Sequence, residues 1–191
     1  MDHFTTLTRK IEIGANSYLV QLGDTRVILD AGMHPKAEGT DAIPRYDSLP
    51  YDSIDAIIIT HSHLDHVGTL PVLQREQPHA MVCMTEPTGA LVDAMLHNSI
   101  NVMTAKKMEK GLTEYPFYTH REVDQLSRVW DYRKVRQRFA IGDGGVECEF
   151  FDAGHILGSI GVMLYHKGRR IFYTGDVNFE DQTITKSAEF P

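Results

Sequence analysis

Cysteine is scarce in this 191-residue chain: there are only two, Cys83 and Cys148, and they form no CxxC pair. That excludes a disulfide scaffold and a thiolate-built zinc knot, and it fits a reducing compartment, here read as the cytoplasm. Long apolar runs are also missing. None approaches the roughly 18 residues that a membrane span needs, and the first ten residues, MDHFTTLTRK, lack the apolar region of a secretory signal. Excess positive charge is absent as well. With 19 Lys+Arg against 26 Asp+Glu, the formal net charge is −7, which argues against indiscriminate nucleic-acid binding by the chain as a whole. Disorder is excluded by 42% hydrophobic and 24% charged residues, an ordinary globular balance. What is abundant is histidine: there are ten, three of them within six residues.

The order of elements reads as strands, then helices, then strands, without repeat or linker, which favours one α/β layered domain. Strands are expected at 10–13, 17–22 and 25–29, the last ending at Asp30-Ala31-Gly32. Residues 33–53, with three prolines, read as a long loop of the kind that is functional or mobile. The continuous apolar run IDAIIIT, 54–60, fits a strand buried on both faces. A helical pattern follows from Asp65 to before Pro78, then a strand at 80–84 and an amphipathic helix from Thr88 to about Lys106. Met95 and Met103 in that helix read as core packing. A capping box at Thr119–Glu122 opens a helix to about Trp130. Further strands are expected at 135–141, 146–152, 159–165 and 170–174. Residues 104–138 carry nine Lys/Arg and five Asp/Glu. This basic stretch reads either as a solvated helix face or as a contact for a phosphate backbone.

The chemistry concentrates where strands end. His61-Ser62-His63-Leu64-Asp65-His66 follows the IIIT run directly. In extended backbone, residues i and i+2 project to one side, so His61 and His63 can converge on one point. Asp65 and His66 then begin a helix and can face a second point close by. Imidazole with carboxylate suits a hydrolytic metal such as zinc, manganese or iron. Downstream, His155 lies between glycines in Phe151-Asp-Ala-Gly-His155, and Asp176 closes the strand of Tyr173-Thr-Gly-Asp176. Either alone reads as a loop or cap residue. Asp30, the histidine block, His155 and Asp176 gain weight because all four stand in order at strand ends. His34, just after the Asp30 strand end, is a further candidate to line the site.

These motifs resemble the metallo-β-lactamase superfamily over essentially the whole chain from about Lys10. The resemblance implies an αββα four-layer sandwich with the metals at one sheet edge. Ala153-Gly-His-Ile-Leu-Gly-Ser159, Arg170-Ile-Phe-Tyr-Thr-Gly-Asp176-Val-Asn-Phe, the long stretch 85–145 and the closing Ala188-Glu-Phe-Pro191 are similar to the β-CASP nucleases of RNA processing. The inserted cap domain of that branch and its later histidine segment have no counterpart here. Residues 1–191 are therefore expected to be the N-terminal part of a metallo-β-lactamase domain from a longer parent. By the resemblance, His61, His63 and His155 would hold one zinc ion, Asp65 and His66 a second, and Asp176 would bridge them. Asp65 would accept the proton of the attacking water, and Asp30 would orient a ligand imidazole. One or both ions would be lost from the shortened chain, leaving it weakly active or inactive. The expected function is a zinc phosphodiesterase acting on RNA. The alternatives are a small-molecule ester, thioester or lactone hydrolase and a non-catalytic scaffold subunit of a processing complex. No membrane partner is expected, and a homo-oligomer stays open.

Overall fold

Three consecutive strands show why the chain layers as it does. Along Val27-Ile28-Leu29, Ala56-Ile57-Ile58 and Val82-Cys83-Met84, alternate side chains enter two different cores. One core lies against helices and the other against a second sheet. A strand with both faces buried is therefore apolar throughout rather than alternating, as the IDAIIIT run anticipates.

The computed structural model describes residues 2–10 and 14–191. The first sheet has the order β1 (His3–Thr6), β2 (Tyr18–Leu22), β3 (Thr25–Leu29), β4 (Ala56–Ile58), β5 (Met81–Met84), β6 (Asp131–Tyr132). Its first three strands are antiparallel, and β3 to β6 run parallel. The second sheet is an antiparallel meander of β7 (Arg138–Ile141), β8 (Val146–Asp152), β9 (Ile160–His166) and β10 (Arg169–Tyr173). Four helices, α1 (Leu64–Val67), α2 (Leu70–Glu76), α3 (Glu86–Lys110) and α4 (His120–Leu126), contribute Val67, Leu70, Leu73, Val92, Leu96 and Val123 to the core on the outer face of the first sheet. Among the described residues the layers are thus helix, sheet, sheet. The outer face of the second sheet carries Phe172 against Phe190 of the C-terminal segment.

Several elements differ from the sequence expectation. The helix from Asp65 breaks into α1 and α2 at Gly68-Thr69. Thr69 turns its hydroxyl onto the carbonyls of Ala31 and Gly32, both at 3.0 Å. Helix α3 extends further at both ends, with the Thr85 hydroxyl capping the Thr88 amide and Gly111 closing it in a left-handed conformation. Met103 is buried in the helix-side core and Met95 packs against it, as expected of packing residues. The Thr119–Glu122 capping box is present, but α4 ends at Leu126 and passes into a 3-10 turn. The expected strand at 10–13 lies outside the described residues except for Lys10, which is in a bend. Val135 makes only an isolated bridge to Phe150 before β7 begins.

Parallel strands bring their C-terminal ends to one edge. Asp30 follows β3, Thr60 and His61 follow β4, Thr85 follows β5, and Arg133 follows β6. The second sheet delivers its own loops to the same edge: the Ile160 amide at the start of β9 donates to the Thr60 carbonyl at 3.0 Å. Ligands commonly bind at such carboxyl ends of parallel strands.

Candidate metal centre

Asp30 is the buried base of the site. It is fully enclosed, and its backbone adopts φ +62°, a left-handed conformation uncommon outside glycine. Four donors hold its carboxylate: the Thr60 amide at 2.8 Å, the Thr60 hydroxyl at 2.9 and 3.0 Å, His66 Nδ1 at 2.7 Å and the Tyr173 hydroxyl at 2.9 Å. Burial strips a carboxylate of its hydration, and these donors replace it. The turn after β3 also fixes helix α1. Ala31 N donates to His66 O at 2.7 Å, Met33 N to Leu64 O at 2.9 Å, and Asn16 N to Asp65 O at 2.8 Å.

Thr60 sets the tautomer of its neighbour. A hydroxyl has one proton, and that of Thr60 goes to Asp30, so its lone pair accepts from His61 Nδ1–H at 3.0 Å. His61 Nε2 is left without a proton. It faces His63 Nδ1 at 3.2 Å, and His155 Nε2 lies 3.2 Å from the same His63 atom. Asp176 Oδ2 stands 3.5 Å from His155 Nε2 and 3.8 Å from His61 Nε2. One ligand atom from each of these four residues lies within 4.8 Å of the others. Two nitrogens each about 2.0–2.1 Å from a tetrahedral zinc stand about 3.3 Å apart, so the observed spacing fits one ion.

Electrostatics separate the histidines. Burial pushes His61 down to about 3, with His66 adding to the effect, so His61 is neutral and able to ligate. Burial also lowers His155. His66 goes the other way, because Asp30, Asp176 and Asp65 outweigh the cost of its burial and raise it to about 10. Asp176 is lowered to about 2, first by its hydrogen bond with His66. Burial and the adjacent Asp30 hold the Tyr173 hydroxyl far above its ordinary range, so it donates and stays neutral.

All the expected site residues lie at this edge except His34. His66 Nε2 stands 3.4 Å from Asp176 Oδ1 and 3.8 Å from Asp65 Oδ2, forming a second group beside the first. Asp176 thus turns one oxygen toward each group. His34 instead accepts from the amides of Lys36 and Ala37 at 3.1 and 2.9 Å. It lines a separate cavity with Thr8 and Arg9. Thr60, Tyr173 and Asn16, whose Nδ2 is 2.9 Å from His66 Nε2, contribute to the site without having been singled out from sequence. Position next to His61 was the only available signal for Thr60; for Asn16 there was none.

The loop carrying His155 is locked to helix α3. Ser159 Oγ accepts from the amides of His155 and Ile156, both at 3.1 Å. The Thr85 and Thr88 hydroxyls donate to the Gly158 carbonyl at 2.8 and 2.9 Å. Gly158 has φ +81°, and a Cβ there would lie 2.8 Å from both threonine oxygens. Only glycine meets both demands.

Residues 12–188 match the family described as the metallo-beta-lactamase superfamily. The chain is similar to Endoribonuclease YSH1 of Saccharomyces cerevisiae, 30% identical over 98% of this chain and 24% of the yeast protein. It is also similar to Endoribonuclease ysh1 of Schizosaccharomyces pombe, 31% identical over 98% of this chain and 24% of that protein. The chain spans about a quarter of the length of these curated relatives. Among solved structures, a protein of unknown function from Enterococcus faecalis superimposes with a TM-score of 0.62 at 16% identity, over 94% of this chain and 44% of that one. The metallo-beta-lactamase fold protein YhfI from Bacillus subtilis gives 0.56 at 16% identity, over 93% and 63%.

Proposed function

The chain belongs to the metallo-β-lactamase superfamily, and on that premise we propose that it is the metal-binding domain of a zinc-dependent phosphodiesterase that cleaves RNA. The carrying observation is the convergence of His61 Nε2, His63 Nδ1, His155 Nε2 and an Asp176 oxygen within 4.8 Å. In this reading those atoms hold one zinc ion, and Asp65 with His66 Nε2 holds a second. Asp176 would serve both, a role supported by its split contacts, Oδ1 toward His66 and Oδ2 toward His155. Manganese or iron would suit the same donors.

When bound, the two cations supply Lewis-acid stabilisation of a phosphodiester's developing charge and acidify a water for attack. The chain's residues do the rest. Asp65, about a quarter exposed beside His66, is placed to accept the water's proton on a carboxylate oxygen. Asp30 fixes the His66 ring through Nδ1, and Thr60 fixes His61 through its own Nδ1, so His61 presents a free Nε2 while His66 would give up its Nε2 proton to a bound cation. RNA as substrate is supported by the endoribonuclease relatives, and it is proposed for the whole enzyme, of which residues 1–191 would form the metallo-β-lactamase part.

Zinc content after dialysis, read by atomic emission, tests the metal reading: at least one ion per chain is expected, and one fewer in His61→Ala. Metal-dependent cleavage of single-stranded RNA by the longer protein tests the substrate. Turnover of a lactone or thioester with RNA left intact would overturn it in favour of a small-molecule hydrolase.

A further inference from the structure

The sheet edge that carries the metal cluster does not stop at His61. The next stations along it are Thr85 after β5 and the segment after β6. Two strand spacings of about 4.8 Å separate β4 from β6, or about 10 Å. There a groove of about 560 Å³ opens between Tyr132–Val135, the start of α3 and Leu157–Ser159. Its wall on the metal side is the locked loop that presents His155.

Two features set this groove apart. Three large apolar side chains are left exposed in it: Tyr132 at 47%, Val135 at 40% and Leu157 at 50%. The Tyr132 ring is also held in place, because Gly89 on α3 has no side chain to displace it; a Cβ there would lie 2.4 Å from the ring. The groove's charges are the second feature. Arg133 is paired with Asp131. Of the two carboxylates lining the groove, Asp152 accepts the Gly154 amide at 2.8 Å, and Glu86 occupies the first turn of α3, where the helix dipole favours it. Lys134 is exposed, and no ion pair to it is found among the described residues. Glu86 is likewise exposed and has no ion pair among the described residues. A fixed aromatic face, apolar neighbours and Lys134, the one lysine lining the groove, suit a base and its phosphate.

We infer that this groove is a nucleotide subsite for single-stranded RNA. It takes the base and phosphate about one or two nucleotides from the bond at the metal cluster, with Tyr132 stacking the base and Lys134 meeting the phosphate. The inference rests on the proposed nuclease function for its choice of ligand. It gives the basic stretch at 104–138 a specific working residue.

The test is equilibrium binding of a fluorescein-labelled ten-nucleotide oligouridylate to the 191-residue chain, followed by anisotropy with and without EDTA. Tyr132→Ala and Lys134→Glu are each expected to weaken binding at least fivefold. The Lys134 variant should also flatten the dependence of log K on log salt by about 0.7. Tyr132→Phe should bind as the parent does. Because Tyr132 packs on Gly89, thermal melts accompany its variants, and the exposed Lys134 keeps the test decisive if Tyr132→Ala unfolds. No binding by the parent, or unchanged binding in Lys134→Glu, would overturn the proposal and leave the groove to a polypeptide segment. Zinc retention is measured on the same samples. Zinc lost with RNA binding intact would sink the metal reading alone, whereas zinc kept with the groove variants silent would sink only the subsite.

Discussion

Replacing Thr60 by valine keeps the shape of a fully buried side chain and removes one oxygen. That oxygen gives its proton to Asp30 and accepts the Nδ1 proton of His61 at 3.0 Å. In Thr60→Val the His61 N–H is buried without an acceptor, while Asp30 keeps three of its four donors. An unsatisfied buried group costs about 1–3 kcal/mol. For a chain of this size a loss of about 2 kcal/mol corresponds to a fall in Tm of roughly 4–8 °C. The larger effect should be on the metal, because His61 is then free to rotate or to carry its proton on Nε2. Removing the partner that orients a ligand histidine typically lowers affinity about 10–100-fold. Competition against a chromophoric zinc chelator reads that affinity, and Thr60→Ser, which restores the hydroxyl, should recover most of it. If Thr60→Val lowers Tm but binds zinc as the parent does, the tautomer argument is wrong and Thr60 serves stability alone.

Two other substitutions probe the site from different sides. Asp65→Ala should leave the ion of the three-histidine group in place and abolish binding of a second zinc in titrations with excess metal; a second ion still bound, read by atomic emission, would remove Asp65 from the ligand set. Gly158→Ala places a methyl against the Thr85 and Thr88 hydroxyls at a positive φ, so urea denaturation should show a loss above about 1 kcal/mol. Zinc affinity should fall with it, through His155. A Gly158→Ala chain with full stability and affinity would mean the threonine clamp does not position that loop.

The strand-end logic could be read from sequence because it depends on local pattern. An apolar run such as IDAIIIT needs two buried faces, and i, i+2 histidines after it must share a side. Spaced motifs then brought His155 and Asp176 to the same edge, although 92 residues separate His63 from His155. What escaped was set by tertiary contact. Asn16 and Tyr173 reach His66 and Asp30 only because β2 and β10 pack where they do. His34 follows a site strand, yet its ring is taken up by the amides of its own loop. The break between α1 and α2 was hidden as well, since Thr69 leaves the helical path to satisfy carbonyls of the turn after β3. Strand β6 was missed for another reason: two residues carry no periodicity.

The histidines at 61 and 63 belong to the first sheet, while His155 and Asp176 leave the second. Neither sheet alone offers a complete set of donors, so the site comes into being only when the two layers dock. A bound ion is then a rivet between them, contributing stability in proportion to the logarithm of its concentration over Kd, about 2.7 kcal/mol at a hundredfold excess. Capture of metal during refolding would therefore mark the closing of the sandwich, later than the formation of either sheet.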